Sequence, residues 1–265
     1  MAQEIVGLNA STGALEILKS TNQMLLPYDF QTAVSRGKVP GHSPVYIFGF
    51  TVTLGSTAYG PCWEGLTPSG GSYVYPPTAQ VMKLVSTSAG DTGVSIFING
   101  LDSSFNILTE TVALNGTTPV LSSGSYLRIN SITTTLGNAA GNVTLVGNVS
   151  TVLYAEILAG NGNSQASIYT VPNGYTFYNT YLQADANTSA TSSGYNKVRT
   201  ISQPAISGIG TTLLQSVFVQ SFNVPLQFPV SIPQKTDIQW QLLASAGTNT
   251  AANVYAGGFL VSNAV

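Results

Sequence analysis

The chain has 265 residues, and only 7% of them are charged, eight Lys or Arg and ten Asp or Glu, against about 25% in typical soluble proteins. A net charge of −2 leaves no basic patch to neutralise phosphates, which excludes nucleic acid as a partner. A hydrophobic content of 43% excludes intrinsic disorder and allows a sizeable core. Polarity comes instead from Ser, Thr, Asn and Gln, and a surface so poor in charge favours association. An obligate assembly with copies of itself is the expectation.

Met1 to Ile5 begins acidic and lacks a long apolar run, so no secretory signal is expected. No stretch approaches the ~18–20 apolar residues of a membrane helix, so membrane insertion is not expected, and synthesis in a cytoplasm is. Residues 1–43 hold three of the eight cations, Lys19, Arg36 and Lys38. The run Ala14 to Lys19 is too short for an independent helix, and Pro27, Pro40 and Pro44 interrupt the stretch. It reads as an extended N-terminal arm with at most a turn of helix. Such an arm either anchors the body to something else, with Lys19, Arg36 and Lys38 as docking residues, or packs along its own domain.

From Val45 onward the signal is β. Val94, Ile96 and Ile98 alternate onto one face. Ile107 to Leu114 is the next strand and ends at Asn115-Gly116, a strong turn dipeptide. Tyr126 to Thr133 and Val143 to Val146 follow, with Gly137-Asn138 between them. A second set begins near Val152 to Ile157 and continues through Ser167 to Val171, Tyr175 to Leu182, Val217 to Phe222, Ile238 to Leu242 and Val254 to Val261. This rhythm, with Gly, Asn and Ser between strands, is that of a sandwich or jelly roll. The expected class is all-β: an arm over 1–43, one β-sandwich over 44–150 and a second sandwich or jelly-roll-like unit over 151–265. A single larger domain is the alternative.

Catalytic chemistry is hard to assemble from these residues. Nucleophilic catalysis needs a histidine base, and the single His42 precedes Ser43-Pro44, a structural setting. Cys62 lies beside Trp63, which suggests a buried thiol, and it has no partner for a disulfide. One His and one Cys do not make a zinc site. Carboxylates such as Glu64, Asp91, Glu110 and Glu156 stand alone in sequence, whereas a glycosidase needs two across a sugar. Asp102-Ser103-Ser104 is a faint trace of a calcium loop and reads better as a turn. The Asn-x-Ser/Thr sequons at Asn9, Asn115, Asn142, Asn148 and Asn187 are expected by chance. No enzyme activity, cofactor or metal is expected.

Two loops, 184–196 and 203–212, are small and polar. They are candidate binding loops, or solvated or subunit-packed ones. Alternation puts Tyr175, Phe177 and Tyr181 on one strand face and Tyr178 on the other. These tyrosines, with Tyr195, are candidate glycan or subunit contacts; a core role competes.

Several segments carry a resemblance. Arg36 to Ser43, Tyr73-Val74-Tyr75-Pro76, Gly100-Leu101-Asp102, Thr109 to Gly116, Tyr169 to Gly174 and Ile232 to Ile238 resemble, in order, a series in β-rich virion structural proteins of tailed bacteriophages from marine and freshwater communities. The resemblance spans most of residues 10–261. Relatives would carry a basic, asparagine-containing stretch after the Phe-Gly pair, where this chain has Phe48-Gly49-Phe50-Thr51-Val52. The resemblance implies a virion component without saying which one; taken with the arm and the β rhythm, the expected role is non-enzymatic, as an exterior capsid decoration (cement) protein or a neck or tail appendage. It would form a homo-oligomer, expected as a trimer, docked on the major capsid protein or on neck or tail proteins. The alternative is a receptor- or glycan-binding tail or fibre protein using the 184–212 loops.

Overall fold

The computed structural model describes residues 30–54, 58–65, 73–187, 195–205, 210–244 and 250–264, and the backbone of two short strands before them. The chain divides into two compact units, Met1–Val39 and Pro40–Val265. In the first unit, β1 (Val6–Leu8) and β2 (Leu15–Ile17) pair antiparallel. The run around Leu15 is therefore strand. Among the described residues of this unit the helix is α1 (Phe30–Ser35). It stops at Gly37, whose φ of 66° suits only a residue without Cβ. The Lys38 amide donates to the Ala33 carbonyl and the Gly37 amide to that of Val34, each at 2.9 Å, the Schellman closure of a helix end. Lys19 lies outside the described residues.

The second unit is built from strands. β3 (His42–Leu54) and β4 (Gly60–Pro61) come first. Next are β5 (Gln80–Ser86), β6 (Thr92–Leu101), β7 (Ile107–Asn115), β8 (Val120–Tyr126), β9 (Arg128–Leu136), β10 (Val143–Gly147) and β11 (Leu153–Ile157). The remainder are β12 (Ile168–Thr170), β13 (Tyr175–Ala186), β14 (Asn196–Pro204), β15 (Thr211–Phe218), β16 (Ser221–Ile232), β17 (Thr236–Ala244) and β18 (Thr250–Ser262).

The outer strands form two sheets, β16-β13-β18-β3 and β12-β17-β14-β15. Their pairings nest: β3 with β18, β12 with β17, β13 with β16 and β14 with β15, all antiparallel. A long hairpin wrapped around a common core gives this order, which is a jelly roll. Phe177, Trp240, Leu242 and Val254 fill the space between the sheets. Ile238, Trp240, Leu242 and Ala244 alternate inward along β17, as the period of a half-buried strand requires.

A second sandwich is inserted into one jelly-roll strand. β4 and β12 lie in line along the same edge of β17, with Pro61 opposite Gln241 and Ile168 opposite Gln239. Between them the chain leaves and returns at Cys62 and Ser167. The Ser167 amide donates to the Cys62 carbonyl at 2.8 Å. The Ser167 hydroxyl accepts from the Cys62 amide at 2.8 Å and donates to the Trp240 carbonyl at 2.7 Å. The inserted part stacks sheet β11-β10-β5-β8 on sheet β7-β6-β9. Its core includes Met82, Leu84, Ile98, Ile132 and Leu145, and no jelly-roll residue belongs to it.

The expected all-β architecture of sandwich and jelly-roll-like units is what the chain adopts. The expected grouping of 44–150 is not how the sheets are composed: β3 and β4 pair with β18 and β17 rather than with the strands that follow them. The physical reason is the insertion, which separates jelly-roll strands in sequence without separating them in space.

Candidate functional site

His42 Nδ1 lies 2.8 Å from the Pro40 carbonyl, a local contact. Cys62 is fully buried at the insertion junction, and desolvation pushes its thiol well above the ordinary range, the opposite of activation. Among the described residues no three His, Cys, Asp or Glu side chains are grouped to hold a metal. Asp102 accepts the amides of Ser104 and Asn106 at 2.8 and 2.9 Å, which makes it a turn residue. Burial, first, raises the carboxyl pKa of both Glu64 and Glu156, and each is bonded to an asparagine, Asn161 and Asn142 respectively.

The tyrosines sit differently from their sequence alternation. Strand β13 carries a bulge at Thr180, because Asn179 opposes Gly258 while Tyr181 opposes Gly257. An extra residue reverses the facing of everything beyond it. Phe177 therefore points into the core, while Tyr181 joins Tyr178 on the outer face of the sheet. This corrects the expectation that Tyr181 shares the face of Phe177. Tyr178 stacks on Phe259 at 5.4 Å, and Tyr181 meets Tyr255 edge-on at 5.7 Å. The Tyr181 hydroxyl donates to Gln183 at 2.8 Å, and the Gln183 amide donates to Asp185 at 2.9 Å. Tyr175 packs against the jelly-roll core. Tyr195, at the start of β14, has Lys197 Nζ 5.4 Å from its ring centre.

Of the candidate loops, 184–186 belong to β13 and 203–204 to β14; residues 188–194 and 206–209 lie outside the described residues. Arg36 and Lys38 are exposed just beyond α1. Tyr178 and Tyr181 are thus brought together with Tyr255 and Phe259 on one sheet face, whereas Tyr175 packs inward and Tyr195 adjoins the other sheet.

Sequence reasoning missed a strongly exposed apolar patch. Strands β15 and β16 are the edge strands of the two jelly-roll sheets at the same side of the sandwich. Val217 and Phe228 stand out from them and Val219 from the turn between, Phe228 at 81% exposure. A cavity of about 80 Å³, lined by Leu182, Val198, Leu214 and Leu226 among others, opens between them. Residues 200–234 contain no charged side chain, although exposed edges are commonly protected by Lys or by inward charge. Pro225 and Pro229 deny β16 two amide donors, which blunts backbone pairing there. The charge gap was readable in the sequence; that it falls on two edge strands was not.

No protein-family model and no curated protein matches the sequence. Among solved structures, the VP2 subviral particle of infectious bursal disease virus aligns at 11% identity over 84% of this chain and 73% of that one, with a TM-score of 0.19. The Gx strain of the same virus aligns at 11% identity over 88% and 76%, with a TM-score of 0.13. The assignment of a jelly roll rests on the strand pairings above.

Proposed function

We propose that this chain is a non-enzymatic structural subunit of a tailed-phage virion. In this reading it is an exterior capsid decoration protein or a neck or tail appendage, and it assembles with itself as a trimer. The observation that carries the reading is the uncharged edge formed by β15 and β16, with Val217, Val219 and Phe228 in solvent. A lone subunit with such an edge invites association, and burial against another copy stabilises it at roughly 25 cal/mol per Å² before association costs. The ordered resemblance of Arg36 to Ile238 to phage virion proteins supports the particle setting. Arg36 and Lys38, with Lys19, would dock the arm on the major capsid protein or on neck or tail proteins.

Sedimentation velocity and native mass spectrometry of the full chain test this. The expected species is a trimer that Val217→Asp and Phe228→Asp dissociate without loss of β circular dichroism. A wild-type chain that stays monomeric at micromolar concentration overturns the assembly reading. Cryo-electron microscopy of the particle tests its position.

A further inference from the structure

We propose that the cleft between β3 of the jelly roll and the outer face of the inserted β7-β6-β9 sheet binds a neutral oligosaccharide. The cleft has a volume of about 550 Å³, within the range of about 300–1,000 Å³ typical of small-molecule sites. Its two walls differ in chemistry. The inserted sheet presents a cross-strand row Thr109–Asn99–Ser131, with the pair Phe97–Thr133 beside it. These side chains alternate with the buried Ile96 and Ile98, so the pleat turns them outward. The side chains of Asn99, Thr109, Ser131 and Thr133 bond to no described residue, which leaves an amide and three hydroxyls in a row for a ligand.

The facing wall is aromatic. Tyr46 and Phe48 project from β3 at 63% and 38% exposure. Tyr255 lies directly across from Phe48 on β18 and carries Tyr181 edge-on behind it. Burial raises the Tyr255 phenol pKa, with Tyr46 and Tyr181 adding to the effect, so the three hydroxyls share one neighbourhood.

A sugar ring has apolar C–H faces and a hydroxyl rim. Flat aromatic rings receive the faces, and an amide–hydroxyl ladder receives the rim, each bond to a neutral partner contributing about 0.5–1.5 kcal/mol. The lining contains no Asp, Glu, Lys, Arg or His. A sialylated or uronic glycan would therefore lose hydration of its carboxylate with no cation to replace it. A wholly apolar ligand would strand the four polar side chains. An extended peptide added along the free edge of β3 would use backbone bonds and would not depend on Asn99.

The test is a glycan array carrying neutral and acidic oligosaccharides, probed with the full chain. Phe48→Ala and Asn99→Ala are compared with Val149→Ser, whose site is 90% exposed and outside the cleft. The expected result is retention on neutral glycans, at least tenfold weaker for both cleft variants and unchanged for Val149→Ser. Thermal melting confirms that the variants are folded, and Tyr46→Ala, at a well-exposed site, replaces either one that is not. Absence of binding to any neutral glycan, binding confined to acidic glycans, or retention unaffected by Phe48→Ala and Asn99→Ala overturns the proposal. None of these outcomes touches the oligomeric state on which the assembly reading depends.

Discussion

Arg128, the first residue of β9, and Asp237, in β17, form a bidentate ion pair across the boundary between the inserted sandwich and the jelly roll, with both bonds at 2.9 Å. The side chains are only 6% and 9% exposed. The guanidinium also donates to the carbonyls of Pro76, Leu127 and Ala205 and lies 4.7 Å from the Tyr75 ring centre. Asp237 accepts the Thr170 hydroxyl at 2.6 Å. A buried pair with its remaining donors satisfied fixes one geometry, and this one fixes how the two sandwiches meet.

Removing one partner of that pair strands the other. Arg128→Ala or Asp237→Ala is expected to cost about 3–5 kcal/mol in chemical denaturation, because an uncompensated buried charge remains. Arg128→Lys is expected to recover little, since an ammonium cannot span both carboxylate oxygens and three carbonyls. A loss below 1 kcal/mol for Asp237→Ala would show the pair to be solvated in solution.

Trp240 separates shape from hydrogen bonding. It is fully buried in the jelly-roll core, and its indole N–H has no acceptor. Trp240→Ala is expected to lose about 3–5 kcal/mol through the cavity it leaves. Trp240→Phe keeps a ring against Phe177 and removes an unsatisfied donor, so its expected cost is below about 1.5 kcal/mol. Equal losses for the two variants would contradict this account.

Asp91 gives stability a pH dependence. The Ser86 hydroxyl, first, and the amides of Ala140 and Gly141 hold its carboxyl below the usual range against the cost of desolvation. A depressed folded pKa means the stabilisation is complete above the unfolded value, about 3.9, and is lost as pH falls through the folded one. Asp91→Asn is therefore expected to be less stable than the parent at pH 7, with the gap closing below about pH 4. A gap that persists unchanged into acid would assign the effect to packing.

The sequence showed the strands but not their partners. Alternation at Val94, Ile96 and Ile98 located β6 because a half-buried strand writes its facing directly into residue order. Two features defeated the same reasoning. Val217 to Phe222 reads as one strand, yet the chain reverses at Val219-Gln220 with no Gly, Pro, Asn or Asp to mark the turn. The bulge at Thr180 likewise carries no compositional sign, so Tyr181 was assigned to the wrong face. The pairing of β3 with β18 joins residues some two hundred positions apart, which local pattern cannot report. Gly49 illustrates how such distant facts impose residues: a Cβ there would collide with the Cys62 carbonyl and the Ser167 amide at the insertion junction. The proposed cleft was invisible for the same reason, since its aromatic and polar walls come from separate sandwiches.

Because the insertion begins and ends at adjacent residues, the inserted sandwich is expected to fold alone. Tyr73 lies at its entry and donates its hydroxyl to the Tyr154 carbonyl at 2.8 Å, which ties the start of the segment to its last strand. Every residue of its core cluster lies between Met82 and Ile157, so excision leaves that cluster whole. The face exposed by losing the jelly roll carries Asn99, Thr109, Ser131 and Thr133, which water can solvate. Arg128 would lose Asp237 but gain solvent, and a charge returned to water costs little. A segment spanning 73–165 is of a size that folds independently. It should give a dispersed amide spectrum and one cooperative denaturation transition. A spectrum without dispersion, or unfolding without a transition, would show that the jelly roll supplies part of the insert's stability. Trp63 and Ile168, which pack with Tyr73 at the junction, would then be the contacts to restore first.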